Sequence, residues 1–138
     1  MKGIYVLLIR LRDDASIDVG KLGTIEFSAG FYAYVGSALN GLDGRIKRHL
    51  RINKKRHWHI DYLLEVATIE EVIYAETEES LECELADSLT ELEVVEQFGS
   101  SDCKCKSHLF FSKNLETIKD TVLYGIKKCK LDAKYYNS

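Results

Sequence analysis

Proline is absent from all 138 residues. No internal repeat, low-complexity tract or linker accompanies that absence, so the chain reads as a single domain over residues 1–138 with one core. Cysteine is scarce: Cys83, Cys103, Cys105 and Cys129 are too few for a disulfide scaffold and read as reduced thiols. No apolar run approaches the roughly 20 residues of a membrane-spanning helix; the longest, Ile4 to Ile9, is strand-sized. The start, Met-Lys-Gly-Ile-Tyr, passes straight into that run with no signal-peptide segment before it, and a cytoplasmic protein is expected. With 46% hydrophobic and 30% charged residues, the composition excludes intrinsic disorder and fits an ordinary globular domain.

Charge is unevenly placed, which the net value of −3 conceals. Gly44 to His59 contains no acid but holds Arg45, Lys47, Arg48, Arg51, Lys54, Lys55 and Arg56, with His49, His57 and His59 among them. Asp61 to Glu96 contains no Lys or Arg and thirteen acids. A polarised chain of this kind presents one positive patch able to hold a polyanion. The plainer alternative is a solvated helix face.

Ile4 to Leu11 reads as a buried strand ending in the polar turn Arg12-Asp13-Asp14. Val19 to Phe27 reads as a short strand kinked at Gly23, and Phe31 to Gly36 as another after the turn Ser28-Ala29-Gly30. A loop over Ser37 to Asp43 leads into a helix from about Leu42 to Ile52, its apolar stripe formed by Leu42, Ile46 and Leu50. A short helix is expected over His57 to Leu64 and a strand over Val66 to Ala75. Leu81, Leu85, Leu89 and Leu92 mark a helix of roughly four turns, with Thr77 and Ser80 as candidate caps. His108 to Ser112 reads as a last strand and Leu115 to Leu131 as a closing helix. The interleaving favours an α/β (α+β) domain: a small central mixed or antiparallel sheet flanked by helices.

Two tyrosine motifs carry the chemistry. Gly3-Ile4-Tyr5 opens the first strand and Tyr34-Val35-Gly36 ends a later one. Arg45 and His49 follow on the next helix at i,i+4, so guanidinium and imidazole share a face. In that order these elements resemble the GIY-YIG nuclease superfamily. Gly36-Ser37-Ala38, Arg45 to His49, His57-Trp58-His59-Ile60-Asp61-Tyr62 and Phe98-Gly99-Ser100-Ser101-Asp102-Cys103 resemble its small prokaryotic branch, whose members stand alone or are fused to endonuclease III-type repair proteins. The resemblance runs from Gly3 to about Phe110. It implies a GIY-YIG endonuclease-like fold with an inserted hairpin around Lys21 to Glu26, and a divalent-metal-dependent hydrolysis of DNA phosphodiester bonds in repair or recombination. By the same resemblance Tyr5 and Tyr34 are the catalytic tyrosines, with Tyr5 preferred as base, Arg45 holds the scissile phosphate, and His49 hydrogen-bonds the reacting groups. Tyrosine titrates near 10, so such a base needs cations beside it. Ser37 stands where some relatives carry a lysine that lowers a tyrosine pKa.

The resemblance also requires a metal-bearing glutamate with apolar residues three and four positions later. Glu82, followed by Leu85 and Ala86, meets that frame. At about 100° per residue Glu82 falls about 65° from the centre of the leucine stripe, and Glu84 about 95°. One carboxylate completed by waters suits Mg²⁺ or Mn²⁺. Lys47, Arg48, Arg51, Lys54, Lys55, Arg56, His57 and His59 are the expected DNA contacts, made mainly to backbone phosphates. His57-x-His59-x-Asp61 reads as aromatic packing plus nucleic-acid contact rather than a metal site. Cys103-x-Cys105-x2-His108 with Asp102 reads as loop-ordering, its spacing being wrong for ordinary zinc pairs. A DNA-repair protein is the expected partner. Two other functions remain open: a catalytically weak nucleic-acid-binding accessory module on the same scaffold, and a redox or zinc-regulated adaptor built on Cys103, Cys105 and His108.

Overall fold

The computed structural model describes residues 2–38, 40–96, 98 and 107–137. The apolar run near the start becomes β1 (Gly3–Leu11), buried at every position but one. A strand so uniformly apolar must be covered on both faces, and it is. β1 lies between β4 (Gly30–Ala38) and β5 (Thr68–Glu76), antiparallel to both. β7 (Leu109–Ser112), β6 (Glu93–Val94) and β8 (Lys134–Tyr135) complete a six-stranded sheet of order β6-β7-β4-β1-β5-β8. Every pairing is antiparallel, so the domain is α+β with an antiparallel sheet.

Alternation along β1 divides the core in two. Tyr5, Leu7, Ile9 and Leu11 face one cluster, closed by Leu42 and Ile46 of α1 (Leu42–Leu50) and Ile60 and Leu63 of α2 (His59–Leu64). Ile4, Val6 and Leu8 face the other, closed by Leu85 and Ala86 of α3 (Glu82–Ser88) and Ile118, Val122 and Ile126 of α4 (Leu115–Lys128). Asn114 caps α4, its side chain accepting from the Thr117 N–H at 3.1 Å. No helix among the described residues is long and apolar enough to cross a membrane.

Several elements differ from the sequence reading. The kinked strand over Val19 to Phe27 is the second half of a separate hairpin, β2 (Ala15–Asp18) with β3 (Thr24–Phe27), joined through a 3-10 turn at Gly20–Leu22. It packs Ile17, Ile25 and Phe27 onto the first cluster. The helix expected through Ile52 stops at Leu50, because Arg51 turns extended at φ −67°, ψ 138°. Its stripe is Leu42, Ile46 and His49, with Leu50 turned outward at 38% exposure. The four-turn leucine helix is only Glu82–Ser88. Ser88 Oγ donates to the Leu85 carbonyl and Thr90 Oγ1 to that of Asp87, taking acceptors a continuing helix would use. Leu89 and Leu92 reach the core from the turns beyond. Neither Thr77 nor Ser80 caps α3, whose N-cap is Leu81; Thr77 Oγ1 accepts from the Glu79 N–H instead.

Candidate active site

The two tyrosine motifs meet across the β1–β4 ladder. Tyr5 stands opposite Gly36 and Leu7 opposite Tyr34, so the two phenols rise from the same face on adjacent strands. Gly36 is there because Tyr5 lies over it: a Cβ on Gly36 would collide with Tyr5 Cζ and Oη. Gly3 is likewise confined, since a Cβ there would collide with the Ala75 carbonyl of β5 and crowd Leu42 of α1. Both motif glycines therefore mark close approaches, one beneath the phenol and one where β1 passes under the helix bearing Arg45.

α1 delivers His49 and Arg45 to this face. His49 is buried, its ring 5.3 Å from that of Tyr5 and 6.3 Å from that of Tyr34. Its Nε2 lies 2.7 Å from Tyr5 Oη, while Nδ1 has no partner among the described residues. Burial drives the imidazole pKa down to about 4, assisted by Arg48 and Arg45 against the opposing pull of Asp61, so the ring is neutral. A buried N–H without a partner costs more than an unpaired lone pair, which places the proton on Nε2 and makes His49 the donor to Tyr5. Burial also pushes the Tyr5 phenol up to about 12, opposed by the charge and hydrogen bond of Arg45. Tyr34 is pushed up further, by burial first and then by Tyr5 and Glu82.

Arg45 is fixed at both ends. Its Nη1 donates to the Ser37 carbonyl at 3.0 Å, and its guanidinium lies 4.6 Å from the centre of the Trp58 ring. Arg48 stacks on the same indole at 4.4 Å, and His49 approaches it at 5.5 Å. Trp58 thus positions three side chains of α1. Beneath it the Asp61 carboxylate accepts from Arg48 Nη1 and Nη2 and from the His57 and Trp58 N–H groups. Burial, which would raise the Asp61 pKa, is outweighed by these donors, and the carboxyl is held below its usual range.

Glu82 joins the same neighbourhood through β4. Ser37 Oγ donates to Glu82 Oε2 at 2.8 Å while the Ser37 carbonyl receives Arg45. Glu82 Oε1 lies 3.2 Å from His108 Nδ1, and the glutamate side chain keeps 28% of its exposure. One residue of β4 therefore ties the α1 guanidinium to the first carboxylate of α3. Tyr5, Tyr34, Arg45, His49 and Glu82, spread over most of the chain, form one connected group. Glu84 is exposed and outside it.

A family model described as "Domain of unknown function DUF123" matches residues 4–131. The chain belongs to the DUF123 family. The matched span of this DUF123 domain contains the whole group. Neither a curated protein nor a solved structure matches the chain.

The expected DNA contacts of the DUF123 domain are divided by the fold. Lys47 pairs with Asp43, Arg48 with Asp61, and Arg56 with Glu65 through two bonds. Lys54 Nζ donates to the carbonyls of His49 and Arg51 and closes the end of α1. Arg51 and Lys55 are exposed and without a side-chain partner among the described residues. His57 is exposed against Trp58, and His59 is half-buried against Phe98. Cys103, Cys105 and Asp102 lie outside the described residues. His108 belongs with Glu82, a pairing the cysteine spacing gave no hint of. Trp58 and Asp61 as supports for α1 were equally hidden, although an acid three residues after the helix start is the pattern of a reciprocal N-terminal cap.

Proposed function

We propose that this DUF123 domain is a divalent-metal-dependent endonuclease of the GIY-YIG kind, acting on DNA phosphodiester bonds in repair or recombination. One observation carries the reading: a phenol of β1, a guanidinium and an imidazole of α1 and a carboxylate of α3 are linked by contacts at one end of β4. Hydrolysis needs a base for the attacking water and positive charge for the transition state. Tyr5 is the base, because Arg45 and the His49 N–H both converge on its oxygen and favour the phenolate. Tyr34 has no such pair of donors and its greater desolvation favours the neutral phenol; it serves as packing beside His49. With the phenol near 12 in the free protein, a divalent cation held at Glu82 would supply the further positive charge that favours loss of the Tyr5 proton.

Arg45 clamps the scissile phosphate. Its stack on Trp58 and bond to Ser37 hold the guanidinium before substrate arrives, so little ordering is left to do. The water oxygen forms the new P–O bond as its proton passes to the Tyr5 phenolate, and the P–O bond to the sugar oxygen breaks, that oxygen leaving as an alkoxide that takes its proton from solvent.

Among the described residues no three His, Cys, Asp or Glu side chains cluster as a metal cage. Glu82 fits an ion of another kind: a partly exposed carboxylate, oriented by Ser37 and His108, suits Mg²⁺ or Mn²⁺ that retains most of its waters. Such an ion supplies charge to offset that gathering on the phosphate. DNA contact beyond the site falls to Arg51, Lys55 and His57, on the surface of the segment that follows α1.

The test is incubation of the purified chain with branched, nicked and single-stranded DNA, with Mn²⁺ or with chelator. Metal-dependent cleavage is expected. Tight binding with no cleavage under any metal would replace the nuclease with an accessory nucleic-acid-binding module.

A further inference from the structure

The segment between α1 and α2 carries a side chain that neither the core nor the reactive group uses. Ile52 is 95% exposed, far more than any other large hydrophobic residue of the described chain. It lines a recess of about 520 Å³ together with His49, Lys54, Leu64 and Ile69, yet leaves almost all of its own surface to solvent. A free isoleucine on a loose loop would be unremarkable. This loop is pinned: Lys54 Nζ bonds the His49 and Arg51 carbonyls, and Arg48 Nη2 bonds the Lys55 carbonyl while its guanidinium holds Asp61. A stiff, β-branched apolar tip is therefore presented in a fixed direction.

Its flanks decide what it meets. Arg51 and Lys55 are exposed and have no side-chain partner among the described residues, and no acid occurs from Gly44 to His59. An apolar point between unpaired cations is suited to a polyanion with an apolar interior, which is a nucleic acid. His49, whose Nε2 reaches Tyr5, lines the same recess as Ile52, so whatever the tip touches lies within a few base steps of the reactive group.

Resting on the nuclease reading, we infer that Ile52 is a wedge: with Arg51 and Lys55 seated on phosphates, it enters a base step and unstacks it within a few base pairs of the scissile bond. Apolar side chains inserted this way kink duplexes and spend a few kcal/mol on unstacking. That cost is least where stacking is already broken, so the favoured substrate is DNA carrying a nick, branch or mismatch rather than intact duplex.

The experiment uses the full chain in chelator, where no cleavage occurs. Nicked duplex with 2-aminopurine beside the nick is titrated with wild type, Ile52→Ser and Ile52→Leu. Wild type and Ile52→Leu raise the fluorescence on binding. Ile52→Ser does not, and it binds nicked DNA about tenfold more weakly, the scale of withdrawing one apolar side chain from contact. Its thermal unfolding matches wild type, because the side chain supports nothing in the fold. Equal affinity and equal fluorescence for Ile52→Ser refute the wedge and leave the nuclease reading standing. No DNA binding by wild type refutes both. Loss in Ile52→Ser of a dimer that wild type forms in sedimentation, with DNA binding unchanged, assigns the tip to a contact between copies of the chain and likewise refutes it.

Discussion

Protonating His49 is the most direct perturbation of the site's internal balance. The imidazole is held neutral in the folded protein, its pKa lowered from 6.5 to about 4 by burial. In the unfolded chain it titrates normally, so below neutrality the unfolded state binds a proton that the native state refuses. Stability must then fall as pH drops from the unfolded pKa toward the folded one. Linkage between those two values puts the loss at about 2 kcal/mol between about pH 7.5 and about pH 5, rising to about 3 kcal/mol once the folded state also protonates. Urea unfolding of wild type and His49→Gln at both pH values isolates this component. His108 and the paired acids titrate in both proteins and cancel in the difference. Wild type is expected to lose about 2 kcal/mol more than the variant on acidification. Equal losses, or an imidazole resonance of His49 titrating near 6.5 by NMR, would refute both the neutral state and the tautomer that makes His49 a donor to Tyr5.

Other substitutions test the remaining contacts. Arg45→Ala should abolish DNA cleavage while only weakening binding in a gel-shift assay, since Arg51 and Lys55 remain; undiminished nicking would remove Arg45 from the site. Glu82→Gln should stay folded by circular dichroism and lose its response to Mn²⁺, whereas retained metal-dependent turnover would move the ligand to Glu84. Gly36→Ala places a methyl against the Tyr5 ring, and should cost about 2 kcal/mol by overpacking together with most of the cleavage rate. Arg48→Ala strands the buried Asp61 carboxylate, with an expected loss of about 3 kcal/mol in denaturant titration.

The middle of the fold was readable because its signals are strong and local. β1 is a continuous apolar run, β4 ends in a tyrosine–glycine motif, and α1 and α4 have clear periodicity. The edges were not. β6 and β8 are two residues long and exist only because a neighbouring strand offers an unpaired edge. α3 was overread because a leucine every three or four residues is equally compatible with a short helix followed by turns that bury the last two. The five residues that the motifs single out do come together. Their supports were not found, because Ser37, Trp58, Asp61 and His108 act through contacts spanning up to tens of residues that no local pattern records. The charge reading overcounted for a related reason: Lys47, Arg48, Lys54 and Arg56 are engaged by partners, three of them acids, that composition alone does not pair with them.

The chain contains a single tryptophan, and the fold has placed it between two guanidinium groups, one of them Arg45. Excited beyond the absorption of the eight tyrosines, its indole emission therefore arises from one location. An anion that binds the stacked Arg45 changes the charge around that fluorophore. Occupancy of the centre is thus readable optically, without a label, in the unmodified protein.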